Sequence, residues 1–290
     1  MIFAKNYKMN TALITGANSG IGLATAQGLA QAGYQLILLV RSQEKGEATK
    51  KWVQRFNPAA AVEIVVADLE DLVSVKNAVA HIRATYPHLS RLINNAGYSP
   101  DTIKFNKQGY EKSFIANHLG HFLLTVGLLD LLDKSGEGRI INLSSVALNL
   151  GKAERFFQKN NTKLNAFAAY ADGKLANALF SKALVKQLEG QRVTSYAVHP
   201  GVVNSGFGSN FTGLGKLLVL AARPFMITAQ KGAETTLYLA TTDIENIRKY
   251  NGGFFASSKP KSISHRDFTE ANAAQLWAKS EAAVAEMLPK

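Results

Sequence analysis

The sequence predicts a single α/β domain, residues 1–290, built on one parallel sheet with helices on both faces. Three observations lead to this prediction. Short apolar segments alternate with helix-period segments from Thr11 onward, a glycine-rich segment follows the first apolar segment, and no linker, repeat or change of composition interrupts the alternation. Strands that alternate with helices are joined by right-handed crossovers, which produce a doubly wound parallel sheet.

The predicted strands are short runs of aliphatic and β-branched residues, as expected for strands that are covered on both faces. The predicted helices carry apolar residues three and four positions apart, which places these residues along one face. In chain order the strands are Thr11–Thr15, Gln35–Val40, Val62–Ala67, Arg91–Asn94, Arg139–Leu143 and Val193–Val198. The helices are Ile21–Ala32, Lys45–Phe56, Leu72–Thr85, Gly109–Leu132, Ala166–Leu188 and Glu270–Leu288.

The composition indicates an ordinary globular protein, which we expect to be cytoplasmic. Hydrophobic residues make up 47% of the chain and charged residues 19%. The lack of Cys excludes disulfides, a thiolate nucleophile and Cys-ligated metal sites, and it suits a reducing compartment. Met1–Asn10 lacks the apolar core of a signal peptide. The longest apolar run, Leu214–Ile227, contains Lys216, Arg223 and Pro224 and is too short to span a bilayer, so no integral membrane segment is predicted.

The chain is basic, with a net charge of +12 and a pI near 9.7. Lys and Arg are spread along the chain with one mild cluster at Arg248–Arg266, and no nucleic-acid-binding motif is present. A solvated basic surface is therefore the default interpretation, and nucleic acid is not an expected partner. Contact between this surface and an anionic membrane stays open.

A glycine-rich segment, Thr15–Gly22, reads TGANSGIG and joins the first strand to the first helix. In that position glycines permit a tight turn and let the backbone approach a pyrophosphate, while the helix N-terminus supplies free N–H groups. The alternative is a glycine-rich surface turn. The residues predicted to contact a dinucleotide here are Gly16, Asn18, Ser19, Gly20, Ile21 and Gly22.

Three further strand ends carry candidate cofactor contacts. Arg41 follows the second strand, where an Arg accommodates the 2′-phosphate of NADP and an acid would favour NAD, so NADP(H) is predicted unless Arg41 is a stray surface residue. Asp68, after the third strand, could accept from the adenine amino group or could cap the helix that begins at Leu72. The fourth strand runs into Asn94–Gly97, which either borders the ligand crevice or forms a plain turn.

Tyr170 and Lys174 are four residues apart on a predicted helix and therefore share one face. An ammonium beside a phenol favours the ionised phenol, and moving a phenol pKa from about 10 to about 7 takes roughly 4 kcal/mol. A phenol tuned in this way could exchange a proton with a substrate oxygen at neutral pH. The alternative is an unremarkable pair of helix-surface residues.

Taken together, the ordered motifs resemble the short-chain dehydrogenase/reductase superfamily over residues 10–256. They are TGANSGIG, Asp68, NNAG, Asn117, Ser144-Ser145, YADGK and His199-Pro200-Gly201. The resemblance implies a Rossmann-type fold, and the three residues between Gly16 and Gly20 match the short, single-domain branch. Arg41 and the tail sequences GGFFASSKPKSIS and LWAKSE are similar to retinol dehydrogenase-like and WW-domain-oxidoreductase-like members.

The resemblance also implies residue roles. Tyr170 would be the general acid/base, Lys174 would tune its pKa and bind the nicotinamide ribose, and Ser145 would polarise the substrate carbonyl, with Ser144 the second candidate. Asn117 would hold a water that links Lys174 to solvent. The remaining cofactor contacts implied are Leu69, Asn94, Ala96, Gly97, Tyr170, Lys174, Pro200, Gly201, Val203 and Ser205, the last standing where the family usually has Thr. A homodimer is possible, because the family often pairs through the helices that hold Asn117 and Tyr170, although the long segment between Ser145 and Tyr170 could cover that face.

The predicted activity is NADP(H)-dependent interconversion of a carbonyl and an alcohol on a moderately apolar small molecule. Retinal-like, lipid-derived and aromatic aldehydes or ketones belong to this class. One alternative is a catalytically silent, NADP-sensing regulatory protein on the same fold. Another is a basic membrane- or nucleic-acid-binding protein with a vestigial site.

Several other side chains have both a functional and a structural interpretation. Residues 205–228, which include the whole apolar run Leu214–Ile227, are predicted to form a substrate lid, with ordinary core or an oligomer contact as the alternative. Phe156-Phe157 and Phe167 are candidates for a pocket wall or for core. His118 and His121 have helical metal-ligand spacing without a third ligand, so we expect a structural pair and no metal. His199 is expected to serve packing.

Overall fold

The computed structural model describes residues 10–203 and 226–288. Its centre is a sheet of eight strands in the order β3-β2-β1-β4-β5-β6-β7-β8. Neighbouring strands from β3 to β7 run parallel, and β8 is antiparallel to β7. The strands are β1 Thr11–Thr15, β2 Gln35–Val40, β3 Val62–Val66, β4 Arg91–Asn94, β5 Gly138–Leu143, β6 Val193–His199, β7 Phe254–Ala256 and β8 Lys259–Lys261.

Helices cover both faces of this sheet. One face packs against α3, α5, α7 and α9, and the other packs against α1, α2 and α8. The helices are α1 Gly20–Gln31, α2 Gln43–Phe56, α3 Leu72–Thr85, α4 Lys112–Phe114, α5 Gly120–Gly127, α6 Leu129–Lys134, α7 Ala166–Gln187, α8 Ala229–Thr241 and α9 Glu270–Val284. The predicted fold class, a doubly wound α/β domain, is therefore confirmed. Within the described ranges, no helix combines the length and the apolar character that crossing a bilayer requires.

Two features of the fold differ from the sequence prediction. The helix predicted over Gly109–Leu132 is divided into α4, a π-turn at Ile115–Leu119, α5 and α6. Leu128, between α5 and α6, leaves the helical region with φ −120° and ψ 6°. The sheet is also not wholly parallel, because β8 turns back on β7.

The order of the strands places a crevice at one point of the sheet. Strand β1 pairs with β2 on one side and β4 on the other, so the connections that follow these strands leave in opposite directions. In open α/β sheets, ligands bind outside the carboxyl ends of the strands at such a switch point. The loops after β1 and β4 carry the TGANSGIG and NNAG segments, so the fold brings both motifs to the crevice.

Candidate active site

A cavity of about 750 Å³ opens at the carboxyl edge of the sheet. It is lined by the segments that follow β1 to β6 and by one face of α7. Most of the residues predicted from the sequence meet here: Gly16, Asn18, Ser19, Gly20, Ile21, Gly22, Arg41, Asp68, Leu69, Ala96, Gly97, Ser145, Tyr170, Lys174, Pro200, Gly201 and Val203.

Three predicted residues are not among those that line the cavity. Asn94 is buried in the sheet, where its Nδ2 donates to Asn142 Oδ1 at 2.7 Å and to Thr125 Oγ1 at 3.0 Å. The structure therefore gives Asn94 a packing role instead of the predicted cofactor contact, and its neighbour Asn95 lines the cavity. Asn117 lies behind the wall, and Ser205 falls outside the described residues, as does most of the predicted lid at 205–228.

The glycine-rich loop leaves room for a pyrophosphate. Gly16 has φ +65°, a conformation that favours glycine, and a Cβ at Gly22 would lie 2.3 Å from the Gly16 carbonyl oxygen. Ser19 is the N-cap of α1, yet its side chain accepts no hydrogen bond from the helix N–H groups. The N-terminal amides of α1 therefore face the cavity without a protein cap, and the loop fits a dinucleotide phosphate.

The far end of the cavity is polar. Arg41 is exposed at its rim, and within the described residues it forms no ion pair. Asp68 Oδ1 accepts from the Glu70 backbone N–H at 3.0 Å, whereas Asp71 caps α3. The interpretation of Asp68 as the cap of that helix is therefore wrong, and Asp68 lies on the cavity wall.

The two adjacent serines differ in what their hydroxyls do. Ser144 Oγ donates to the Lys174 carbonyl oxygen at 2.7 Å and is buried, so this hydroxyl holds β5 against α7. Ser145 Oγ accepts from the Ala147 backbone N–H at 3.2 Å and also hydrogen-bonds the Tyr170 side chain. Because this hydrogen bond lowers the pKa of Tyr170, the Ser145 hydroxyl acts as the donor to the Tyr170 oxygen.

Tyr170 and Lys174 lie side by side on α7, with the Lys174 Nζ 5.5 Å from the centre of the Tyr170 ring. Burial raises the pKa of Tyr170 to about 12, although the Ser145 hydrogen bond opposes this shift. Burial also lowers the pKa of Lys174 to about 8. The shift of the phenol pKa is therefore opposite in direction to the one predicted from the neighbouring ammonium, and its cause is desolvation of the phenolate.

Lys174 is hydrogen-bonded to β5 and lies close to the loop after β4. Its Nζ donates to the Leu143 carbonyl oxygen at 3.0 Å. A Cβ placed on Gly97 would lie 3.3 Å from the Lys174 Nζ and 3.1 Å from Asn117 Oδ1, so the glycine allows both side chains to approach the loop. The Asn117 amide itself is committed to Tyr98, donating to its carbonyl at 2.9 Å and accepting from its N–H at 3.0 Å.

The sequence interpretation missed part of the cavity wall. Phe167 lines the cavity, whereas Phe156 and Phe157 pack against Phe114 in the core. Further apolar wall residues are Val146, Leu150 and Val202, together with Met226, which belongs to the predicted lid. Three of these belong to the exposed large hydrophobics at the mouth, namely Val146 (50%), Leu150 (56%) and Val202 (36%). Their only sequence signal is apolar side chains that directly follow the serine pair and the Pro-Gly turn.

The three candidate histidines differ in their location and in their hydrogen-bond partners. His199 lines the cavity, and its buried Nδ1 has no hydrogen-bond partner among the described residues. Burial also lowers the pKa of His199 to about 4, so packing alone does not account for this side chain. His118 and His121 are fully buried and bind different partners, Ser280 Oγ and Thr15 Oγ1. Among the described residues no group of three His, Asp or Glu side chains could hold a metal ion.

The switch-point crevice, the uncapped glycine loop and the Ser145–Tyr170–Lys174 group define an oxidoreductase that uses a nicotinamide dinucleotide. Residues 10–213 match the family model described as short chain dehydrogenase. The chain belongs to the short-chain dehydrogenase/reductase family, in its retinol dehydrogenase-like branch. Members of this family use NAD or NADP.

Individual relatives are similar along most of the chain. Mouse (Mus musculus) retinol dehydrogenase 11 is 37% identical over 266 residues, which cover 92% of this chain and 83% of that protein. Human (Homo sapiens) retinol dehydrogenase 13 is 37% identical over 281 residues, covering 93% and 83%. A crystal structure of an uncharacterised protein from Mycobacterium paratuberculosis superposes with a TM-score of 0.76 at 30% identity, covering 97% of this chain and 95% of that chain.

Proposed function

We propose that the protein is an NADP(H)-dependent oxidoreductase that transfers a hydride between nicotinamide and the carbonyl or alcohol group of a moderately apolar small molecule. The observation that carries this proposal is the meeting of Ser145, Tyr170 and Lys174 on the wall of one cavity whose mouth is apolar. Retinal-like, lipid-derived and aromatic aldehydes or ketones are the substrate class that such a mouth suits. Relatives named retinol dehydrogenases support the same class.

In this proposal the side chains manage the charge and the proton on the substrate oxygen. When bound, the reduced nicotinamide supplies the hydride to the carbonyl carbon. Ser145 donates a hydrogen bond to the oxygen on which negative charge develops, and Tyr170 delivers the proton that completes the alcohol. The Lys174 ammonium then stabilises the phenolate that remains until Tyr170 is reprotonated.

Burial keeps Tyr170 in the protonated form that the reduction of a carbonyl requires. With a pKa of about 12 for Tyr170 and about 8 for Lys174, both groups hold their protons at neutral pH. A neutral phenol can donate a proton to a carbonyl oxygen, whereas oxidation of an alcohol would require the phenolate as base. Arg41 at the cavity rim supports NADP(H) as the cofactor.

The first test is a panel of aldehydes, ketones and alcohols with NADPH, NADH and their oxidised forms, followed at the absorbance of the reduced nicotinamide. Tyr170→Phe removes only the phenol oxygen, so kcat should fall by roughly 10²–10⁴-fold while NADPH affinity stays within about twofold. Tyr110→Phe is the matched control, because Tyr110 packs on Phe157 outside the cavity and should retain wild-type rates.

Two results would contradict the proposal. Wild-type turnover in Tyr170→Phe would remove the phenol from the mechanism. Tight NADPH binding with no turnover of any member of the panel would instead favour the regulatory alternative on the same fold.

A further inference from the structure

A second group of side chains, centred on His121, connects the π-turn that carries Asn117 to the start of the glycine-rich loop. His121 is 1% exposed, and both of its ring nitrogens have partners. Nε2 lies 2.8 Å from Thr15 Oγ1, and Nδ1 lies 3.1 Å from the Asn117 carbonyl oxygen. Thr15 ends β1 immediately before Gly16, so one imidazole spans from the start of the glycine-rich loop to the π-turn that carries Asn117.

The surroundings fix the direction of these hydrogen bonds. Thr15 Oγ1 accepts from the backbone N–H groups of Asn95 at 3.0 Å and Ala96 at 2.9 Å, which occupies its two lone pairs. Its single hydrogen can go to His121 Nε2 at 2.8 Å or to the Ile93 carbonyl at 3.4 Å, and the shorter contact is the stronger one. Nε2 is then the acceptor, so Nδ1 carries the hydrogen and donates to Asn117.

This assignment requires a neutral ring, and the environment supplies one. Burial lowers the pKa of His121 to about 4, and Lys174 adds a repulsive positive charge nearby. The groups that contact the ring, the Thr15 hydroxyl and the Asn117 carbonyl, are both uncharged. The ring is therefore a fixed donor–acceptor pair at every pH at which the protein would work.

The network closes on the loop after β4. Thr15 holds the amides of Asn95 and Ala96, His121 holds Thr15 and the Asn117 carbonyl, and the Asn117 side chain holds both backbone groups of Tyr98. Ala96, Gly97 and Tyr98 line the cavity, whereas His121 is not among the described residues that do so. The ring is thus connected by hydrogen bonds to this loop at two points, through Thr15 at Asn95-Ala96 and through Asn117 at Tyr98.

We propose that His121 is a positioning residue with two tasks. Its Nε2 side fixes the position of the loop after β4, and its Nδ1 side fixes the position of the π-turn that carries Asn117. The proposal rests on the proposed hydride-transfer function and assigns the two nitrogens separate tasks. Nε2 orients Thr15 and with it the loop that borders the dinucleotide. Nδ1 orients the π-turn that carries Asn117. The Asn117 Oδ1 and the Lys174 Nζ both lie close to Gly97, on the side where a Cβ would stand.

Two substitutions separate these tasks. The side-chain amide of Asn places its N–H near the position of Nδ1, so His121→Asn keeps the donor to Asn117 and loses the acceptor for Thr15. The longer Gln places its amide oxygen near Nε2, so His121→Gln keeps the Thr15 acceptor and loses the donor. We expect His121→Asn to raise the NADPH dissociation constant about tenfold with kcat little changed. We expect His121→Gln to lower kcat about tenfold with NADPH affinity little changed. Each effect corresponds to the loss of one hydrogen bond.

His118→Gln is the matched control. His118 is equally buried one turn earlier, but its Nε2 contacts Ser280 on α9 and it has no link to Thr15. We expect this variant to unfold at a lower urea concentration while each folded molecule keeps the wild-type NADPH dissociation constant and kcat. Thr15→Val deletes the hydroxyl at the other end of the contact and also leaves the Asn95 and Ala96 N–H groups without their acceptor. Its NADPH defect should therefore be at least as large as that of His121→Asn, and adding His121→Asn to Thr15→Val should weaken NADPH binding no further.

The measurements are NADPH binding by fluorescence titration, kcat on the best carbonyl of the panel, and urea unfolding. Equal losses of affinity and kcat in His121→Asn and His121→Gln, in step with lowered stability, would reduce His121 to a packing residue and overturn the proposal. The binding measurement needs no substrate. A wild-type protein that reduces no carbonyl would therefore contradict the proposed function, whereas the difference in NADPH affinity between the variants would still test the assignment of Nε2. If His121→Asn does not fold, Thr15→Val carries the same test, and wild-type NADPH affinity in that variant would overturn the assignment.

Discussion

At the scale of single residues, burial sets the chemistry of the site by acting oppositely on a phenol and an ammonium. Removing water penalises the charged form of each, so the pKa of Tyr170 rises to about 12 while that of Lys174 falls to about 8. Neither value crosses 7, so the pair enters the reaction as a neutral acid beside a positive charge. The ammonium acts on the phenolate after proton transfer, when its stabilising effect is needed.

Arg41 gives the most direct prediction about cofactor choice. An Arg fork matches the oxygens of a 2′-phosphate, and each charge-assisted hydrogen bond contributes about 1.5–3 kcal/mol. Arg41→Asp replaces this fork with a carboxylate that suits ribose hydroxyls and repels a phosphate. The ratio of kcat/KM for NADPH to that for NADH should fall by roughly 10- to 100-fold, measured on one substrate at fixed ionic strength.

The control for this prediction must separate a local contact from a change in net charge. Arg55→Asp makes the same change in charge on α2, where Arg55 packs over Trp52 and lies outside the cavity. This variant should leave the cofactor ratio unchanged. An unaltered ratio in Arg41→Asp as well would remove Arg41 from cofactor selection.

The site residues that could be predicted from the sequence are those whose identity is dictated by the conformation of their own stretch of backbone. A tight turn with close backbone approach demands glycine at 16 and 22, so the loop shows its function in its own composition. Asn94 and Asn95 could not be told apart although the predicted end of β4 is correct, because adjacent side chains point in opposite directions and the sequence does not show which of them faces the crevice. The sequence predicted a structural role for His121 but not its contact with Thr15, because Thr15 is 106 positions away in the chain.

At the scale of elements, regular hydrophobic patterns predicted the longer strands and helices well. They predicted poorly the short strands that form only because a neighbouring strand pairs with them. Strands β1, β2 and β4 have the bounds that the sequence predicted. In contrast, β7 and β8 have three residues each and exist through pairing with β6 and with each other. Strand β8 reads Lys-Pro-Lys and is exposed, a composition that carries no strand signal but protects a sheet edge from further pairing.

An ion pair attaches the segment before α7 to that helix. Asp172 accepts from the Lys152 backbone N–H at 2.8 Å and from Arg155 Nε at 2.8 Å, and it is buried. Asp172→Asn would leave the Arg155 guanidinium without its counter-charge, so the free energy of unfolding should fall by about 2–4 kcal/mol. Because Val146 and Leu150 belong to the attached segment, KM for the carbonyl substrate should rise as well. Urea unfolding and steady-state kinetics measure the two effects.

The double variant Asp172→Leu/Arg155→Met separates the ion pair from simple packing. Replacing both charges with apolar groups of similar size removes the desolvation cost together with the attraction, so much of the lost stability should return. A free energy of unfolding in Asp172→Asn equal to that of the wild type would show that the pair does not anchor this segment.

At the scale of the whole molecule, the C-terminal helix completes the core on one side of the sheet. Trp277 of α9 packs against Phe122 of α5 with ring centres 4.9 Å apart and against Phe180 of α7 at 6.1 Å. Ser280 of the same helix bonds the buried His118. The helices that hold Asn117 and Tyr170, through which the family often pairs, are therefore covered here by the chain itself. The sequence predicted α9 but not where it packs, because its partners lie roughly a hundred or more positions earlier.

This packing leads to a prediction about assembly. A dimer through those helices would have to displace α9 and expose the aromatic cluster around Trp277, and burying a large aromatic side chain is worth several kcal/mol that pairing would first have to recover. We therefore expect a monomer, with a mass near 31.4 kDa by light scattering on a sizing column across a range of concentrations. NADPH should not change this mass, since the cavity lies at the carboxyl edge of the sheet and not beneath α9. A concentration-independent mass of twice that value would show that this coverage does not prevent assembly.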